Sequence, residues 1–183
     1  MVLRRAMTAA ACVLALASGA AFAGCGEDEP GVDEPAREGL GLELDGVEYN
    51  VFITRQLNTA IPPDDAYYDG PPVGEDETLY GVFLQACNRT DESQTPTEFF
   101  RVKDNQDNEF VPVTLPEDNP FAYHERELAP DECIPKAGSV AQLGPAAASL
   151  LLFKLPLTTT ENRPLELEIE GEGSEKLTYE LDI

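Results

Sequence analysis

The stretch TLYGVFLQACNRT, residues 78–90, decides the fold of this chain. Apolar side chains fill both sides of its period-two pattern, with Tyr80, Val82, Leu84 and Ala86 on one side and Leu79, Phe83 and Cys87 on the other. Because both faces are apolar, the stretch predicts a strand that runs through the middle of a sheet and is buried between layers. Asn88 and Thr90 then predict a polar turn, since short polar side chains hydrogen-bond nearby backbone and compete with strand pairing.

Further short strands are predicted on both sides of this stretch. Residues 41–58 alternate apolar and polar side chains, and residues 99–115 predict a hairpin with a turn at residues 104–108. Four more strands are predicted at residues 139–143, 149–155, 164–170 and 176–183, and residues 144–148 could hold a short turn of helix. Short strands separated by turns predict an all-β fold, an immunoglobulin-like antiparallel β-sandwich of about seven to eight strands over residues 41–183.

The charge of the chain excludes some partners. Its 183 residues suit one domain plus a targeting segment, and its formal net charge is -23. Such a charge repels nucleic-acid phosphates and anionic lipid head groups. We therefore expect no nucleic-acid partner and no membrane binding through charge.

The first residues have the pattern of an export signal. Arg4 and Arg5 precede an apolar run that ends in small residues. Two cleavage sites remain open. Ala21-Phe22-Ala23 fits ordinary signal peptidase, which gives a secreted protein, whereas Phe22-Ala23-Gly24-Cys25 resembles a lipobox, in which the cysteine is lipidated. The favoured interpretation is a lipoprotein signal peptide at residues 1–24 and lipidation of Cys25, which places the protein on the outer face of the cell membrane.

Residues 25–40 are acidic and show no apolar periodicity. Such a composition predicts a flexible, disordered tether that lets the following domain stand away from the bilayer. Two acyl chains on Cys25 supply the two signals that stable anchoring needs.

The cysteines agree with export. Cys12 lies in the signal and Cys25 is the lipidation candidate, which leaves Cys87 and Cys133 in the domain. Two thiols in an oxidising compartment most simply form one disulfide. It closes a loop of about 47 residues, which stabilises the fold by roughly 4 kcal/mol in the chain-entropy model.

A long acidic loop at residues 60–77 has four prolines that keep it out of regular pairing. Its six carboxylates are candidate calcium ligands, because calcium binds about six to eight oxygens: Asp64, Asp65, Asp69, Glu75, Asp76 and Glu77. Their spacing matches no calcium-loop signature, so a solvated loop is the favoured alternative. Tyr67 and Tyr68 could pack this loop onto the sheet or present a recognition surface.

We find no catalytic constellation. The chain has one histidine, His124, and no nucleophile-elbow serine, so neither a catalytic triad nor a histidine-based zinc site is indicated. We therefore expect no enzyme activity and no cofactor, with calcium binding by the acidic loop as the open alternative. Nearby Phe121 and Tyr123 are predicted to cover an edge or an end of the sandwich.

The order of these features resembles a known family. After the lipobox and acidic stretch come a strand that ends in an asparagine turn (residues 83–91) and a hairpin with Phe100-Arg-Val-Lys-Asp and Glu109-Phe-Val-Pro. Pro135-Lys-Ala-Gly-Ser and Leu150-Leu-Leu-Phe-Lys-Leu-Pro follow. This order resembles the telokin-like, immunoglobulin-like extracellular domains of actinobacterial lipoproteins, including the group named domain of unknown function 4352. The resemblance implies a non-enzymatic envelope domain.

Two functions follow as hypotheses. The first is a membrane-anchored module that binds an exported protein or a cell-wall component through loops or a sheet edge. The second is a lipoprotein that binds a ligand or calcium through the acidic loop at residues 64–77.

Overall fold

Short strands dominate residues 29–183, the part of the chain that the computed structural model describes. In chain order they are β1 (Ala36–Arg37), β2 (Gly41–Leu44), β3 (Val47–Gln56), β4 (Glu77–Asn88), β5 (Phe100–Lys103), β6 (Glu109–Phe110), β7 (Cys133–Ile134), β8 (Ser149–Pro156), β9 (Glu166–Glu170) and β10 (Lys176–Glu180). A four-residue helix, α1 (Val140–Leu143), precedes β8, and short 3-10 turns lie at Asp64–Ala66 and Leu157–Glu161.

The strands form two sheets. The first has the order β2-β3-β4, and the far side of β4 pairs with β8 along most of its length and with β7 near its end. The second has the order β1-β10-β9-β5-β6, antiparallel except for the parallel pair of β1 and β10. This arrangement confirms the predicted all-β sandwich. It has ten strands because residues 41–58 form two strands, β2 and β3, and because β1 and β7 contain two residues each, too few to give a period-two pattern in the sequence. β6 is the predicted return strand of the hairpin, but it contains only two residues.

The predicted burial of β4 on both faces is confirmed. Tyr80, Val82, Leu84 and Ala86 belong to the main core. Leu79 and Phe83 point the other way and pack with Leu150, Leu152 and Tyr67 in a second cluster. The layer over this outer face consists of loops rather than a third sheet. Apolar groups on both sides thus stabilise one long strand, as the hydrophobic effect requires of so apolar a segment.

The domain begins earlier than predicted. The N–H of Thr178 donates to the carbonyl of Gly31 at 2.8 Å, and Ala36 is buried where β1 pairs with β10. The N–H of Gly39 donates to the carbonyl of Val51 at 2.7 Å. The predicted flexible tether of residues 25–40 is therefore too long, because residues 30–40 are attached to both sheets. The predicted signal peptide and Cys25 lie outside the described residues.

Two local predictions near α1 were wrong. Residues 139–143 were expected to form a strand but form α1, because the Ser139 hydroxyl accepts a hydrogen bond from the N–H of Gln142 at 3.3 Å and caps the helix. The expected turn of helix at residues 144–148 is absent; Ala148 is buried beside the start of β8. Within residues 29–183, no helix is long and apolar enough to span a membrane.

Candidate functional site

The predicted disulfide is present. Cys87 in β4 lies directly opposite Cys133 in β7, with an S–S distance of 2.07 Å and a Cα–Cα distance of 4.1 Å. The neighbouring Asn88 is fully buried, and its side-chain amide donates to the carbonyls of Glu92 and Leu128 at 2.7 and 3.0 Å. Its Oδ1 accepts the N–H of Thr90 at 2.8 Å. The disulfide and the polar turn after Asn88, both predicted from the sequence, therefore fix the end of β4.

The six candidate calcium ligands do not form one site. Asp64 is buried, and its carboxylate accepts hydrogen bonds from both terminal nitrogens of Arg55 at 2.9 and 2.5 Å and from the N–H of Asn58 at 2.8 Å. These bonds lower the pKa of the Asp64 carboxyl, and the bidentate bond to Arg55 is the main cause. The Arg55 guanidinium also lies over the rings of Tyr67 and Phe83. Asp64 thus fastens the loop to β3.

The other five carboxylates are spread along the loop. Glu77 lies 3.4 Å from the Lys154 ammonium, and the remaining four are exposed: Asp65, Asp69, Glu75 and Asp76. Among residues 29–183, no group of three or more histidine, cysteine, aspartate or glutamate side chains is placed to hold a metal ion. The predicted six-carboxylate calcium site is therefore not assembled. Tyr67 packs against Phe83 and Phe121, so the alternative that this tyrosine attaches the loop to the sheet is confirmed.

Residues 121–123 cover the free edge of β8. The N–H of Leu150 donates to the carbonyl of Phe121 at 2.7 Å, and the N–H of Tyr123 donates to the carbonyl of Leu150 at 2.9 Å. The prediction that Phe121 and Tyr123 cover an edge is confirmed. His124 follows them, is exposed, and contributes to the wall of a groove.

This groove has a volume of about 870 Å³ and opens where the return strand of the hairpin leaves its sheet. β6 ends at Phe110, and the N–H of Val113 donates to the carbonyl of Leu152 in β8 at 2.6 Å. The chain thus crosses from one sheet to the other. The groove is lined by apolar and polar side chains, among them Phe99, Phe100, Val111, Leu152, Tyr123 and His124.

A proline ends the pairing between β5 and β6. Val102 pairs with Phe110, so continuation of the antiparallel register places Pro112 opposite Phe100. Proline has no N–H and cannot donate to the Phe100 carbonyl. The return strand therefore stops two residues earlier, and the edge of β5 has no pairing strand at Phe100.

The backbone of Phe100 points toward the uncovered side. Phe100 pairs with Ile169 of β9, and the N–H of Glu170 donates to the Phe99 carbonyl at 3.0 Å. Because an antiparallel ladder alternates hydrogen-bonded and non-hydrogen-bonded pairs, the N–H and C=O of Phe100 face away from β9. Neither group has a backbone partner among residues 29–183. The groove therefore contains an unpaired donor and an unpaired acceptor on one strand edge.

The rim of the groove is acidic. Arg101 contacts Glu109 at 2.8 Å and also Glu170, so partners neutralise this cation. Glu98 and Glu125 are exposed and form no ion pair within the described chain.

Tyr123 lines the groove together with these two carboxylates. Its hydroxyl donates to the carbonyl of Thr97 at 2.8 Å. Burial is the largest cause of the raised pKa of Tyr123, and the negative charges of Glu125 and Glu98 raise it further. Sequence reasoning missed the groove; the one available signal was Pro112 inside the expected return strand.

The fold is shared with solved structures of low sequence identity. Neither a model of a known protein family nor a curated protein sequence matches this chain. The yjhA protein from Bacillus subtilis has a TM-score of 0.54 and 12% identity, over 80% of this chain and 99% of that one.

The second similar structure is described as "a putative lipoprotein (ycdA)" from Bacillus subtilis subsp. subtilis str. 168. It has a TM-score of 0.50 and 13% identity, over 78% of this chain and 38% of that one, so the present chain matches well under half of ycdA. A third, an uncharacterized beta-sandwich protein from Clostridium difficile 630, has a TM-score of 0.48 and 13% identity, over 84% of this chain and all of that one. At this level of identity, the chain is similar to yjhA and ycdA in fold: a two-sheet β-sandwich.

Proposed function

We propose that this protein is a non-enzymatic lipoprotein of the outer face of the cell membrane, whose β-sandwich binds an exported protein or a cell-wall component. Three observations support the proposal: the export signal with Cys25, the sandwich fold, and a similar fold in a protein described as a putative lipoprotein. The proposal includes the finer assignment to the domain of unknown function 4352 type. Release as a secreted protein is the alternative outcome of export.

The groove beside β5 is the observation that carries this proposal. It joins an apolar floor to an unpaired strand edge at Phe100. Unpaired backbone groups on an edge strand pair readily with another chain, and many recognition domains use such an edge to bind a partner. Phe99 and Val111 beside it are 61% and 72% exposed, and apolar side chains of this size are available to a partner.

Photo-crosslinking on intact cells tests the proposal. A photoreactive residue at Val111 in the groove should capture a specific exported protein or wall fragment. The same residue at Val140, which is 54% exposed on α1 and outside the groove, is the matched control. Capture from Val111 but not from Val140 supports the proposal, and capture of the same species from both positions, or of nothing from Val111, contradicts it.

The Cys25→Ala form tests the anchor in the same cells. We expect it to leave the membrane fraction, because it lacks the thiol that receives the lipid. Processed Cys25→Ala protein, cut after Ala23 as its mass shows, that stays in the membrane fraction contradicts the anchor and leaves the binding module to be judged by the crosslinks alone.

A further inference from the structure

We propose that the groove binds an extended, positively charged peptide segment, which adds to the free edge of β5 at Phe100. This inference deepens the proposed function and rests on it, since it names the chemistry of the partner.

The backbone of Phe100 gives the first reason. Its N–H and C=O face the groove, and Pro112, which lacks an N–H, cannot donate to the Phe100 carbonyl. The Phe100 N–H donates to no backbone carbonyl of residues 29–183. Buried backbone donors and acceptors are satisfied in nearly all native proteins, and Phe100 is only 4% exposed. A peptide in extended conformation brings one C=O and one N–H to this position. It thereby completes the ladder that β6 leaves unfinished.

The side chains give the second reason. The floor is formed by β8, where Leu150 and Leu152 are buried, and the rim carries the exposed Phe99 and Val111. Successive side chains of a strand point to opposite faces. An added strand therefore places every second side chain against this apolar surface and leaves the others at the rim and in solvent.

The charges give the third reason. Three carboxylates of the groove, Glu98, Glu117 and Glu125, are exposed and have no cation partner among residues 29–183. The one lysine or arginine of the lining, Arg101, is already paired with Glu109 and Glu170. Complementary charge speeds encounter and selects partners, so side chains that point to this rim should be lysine or arginine.

Three synthetic octapeptides test the proposal on the purified Cys25→Ala protein. The first alternates lysine with valine, the second alternates glutamate with valine, and the third repeats the first with every backbone amide N-methylated. We expect the lysine peptide to bind and to shift the amide resonance of Phe100. The glutamate peptide should not bind, and N-methylation should weaken binding by about tenfold or more, because it removes the donors that pair with β5.

A charge variant and a matched control locate the site. The double variant Glu98→Gln, Glu125→Gln should raise the Kd of the lysine peptide by about fivefold, as expected for the loss of two ion pairs at the rim. Glu172→Gln with Glu175→Gln changes the net charge equally, but these two residues lie in the turn between β9 and β10, outside the groove. This control should bind as the unsubstituted protein does. Equal weakening in both double variants contradicts a local site.

The outcomes separate this inference from the proposed function. If the glutamate or N-methylated peptide binds as well as the lysine peptide, or if none of the three binds, the inference is wrong. A partner captured from Val111 in cells still supports the proposed function in that case. If the lysine peptide binds at Phe100 but no cellular partner is captured, the chemistry of the groove is supported and the proposed function is contradicted.

Discussion

Asp64 and Arg55 form an ion pair that joins the acidic loop at residues 60–77 to β3. Replacement of Asp64 by asparagine should lower the free energy of unfolding by about 2 kcal/mol at pH 7, because charge-assisted hydrogen bonds contribute about 1.5–3 kcal/mol. Arg55 is partly exposed, which places the cost below that of breaking a fully buried pair. Urea denaturation measures the change, and Asp65→Asn, at the exposed neighbouring position, should alter it by less than about 0.5 kcal/mol.

The same ion pair predicts a dependence on pH. The pKa of the Asp64 carboxyl is lower in the folded protein than its ordinary value, mainly because of Arg55. A carboxyl of this kind stabilises the fold above its unfolded pKa of about 3.9 and loses that contribution as the pH falls through its folded pKa. The difference in stability between the native protein and Asp64→Asn should therefore shrink below about pH 4. A difference that stays constant down to pH 2 would show that charge is not the cause.

The sequence alone does not show that Asp64 is the carboxylate of the loop that is buried and paired with Arg55. Asp64 and Asp65 are adjacent and have the same side chain, yet one is buried and the other exposed. The distinction depends on Arg55, which a strand nine residues earlier places over Phe83. Sequence patterns describe the periodicity of a strand well, but they do not show which loop carboxylate meets a cation from another element.

Among the elements, β7 is too short to be held by strand pairing alone, and its disulfide stabilises the pairing with β4. It has two residues, and Cys133 in it is joined to Cys87 in β4 across 46 positions of sequence. Cys87→Ser with Cys133→Ser should lower the free energy of unfolding by about 4 kcal/mol in the chain-entropy model. Guanidinium denaturation with and without reductant measures this loss. If the native protein keeps its full stability after complete reduction, the bond does not stabilise the fold as expected.

Pro112 determines where the hairpin of β5 and β6 ends. Pro112→Val restores an N–H that can donate to the Phe100 carbonyl, so β6 should lengthen to residue 112. The Phe100 N–H then donates to the carbonyl of residue 112, and the exchange of this amide with solvent should slow by about fivefold, as one hydrogen bond of about 1 kcal/mol implies. Hydrogen exchange read by NMR measures this. Pro116→Val is the control, because it lies beyond the crossing segment and should leave the Phe100 amide unchanged. Equal exchange in both variants contradicts the role given to Pro112.

Elements with strong period-two patterns could be predicted, and the shortest ones could not. The apolar residues on both faces of β4 and β8 predict buried strands from the local sequence alone. β1 offers no such signal: it has two residues, lies in an acidic, proline-containing stretch, and forms because β10 supplies a partner. The groove could not be predicted either, because its shape depends on the positions of two sheets and of the segment that crosses between them. A sequence pattern within one element does not contain these positions.

At the scale of the whole molecule, the attachment of residues 30–40 changes the expected position of the domain on a membrane. If Cys25 carries the lipid, residues 25–28 are the whole connection to the first described residue, Glu29. Four residues span at most about 14 Å even when fully extended. The chain then joins the edge of the second sheet at β1, whereas β5 and β6 lie at its opposite edge. The groove is therefore on the side of the sheet away from the proposed anchor.

This geometry predicts a short stand-off distance between the domain and the bilayer. Insertion of twenty glycine and serine residues after Gly26 should raise the mean height of the protein layer by about 25 Å, because a flexible linker of that length has a mean span of this size. Neutron reflectometry on a supported bilayer measures the height of both forms. An equal height for both contradicts the short connection, and loss of both proteins from the bilayer contradicts lipidation at Cys25. If the heights are as predicted, crosslinking from Val111 can then be compared between the two forms. Stronger crosslinking in the longer form shows that the short connection restricts the access of a partner to the groove. Equal crosslinking shows that the groove, at the edge of the sheet opposite β1, is already accessible to a partner in the original protein.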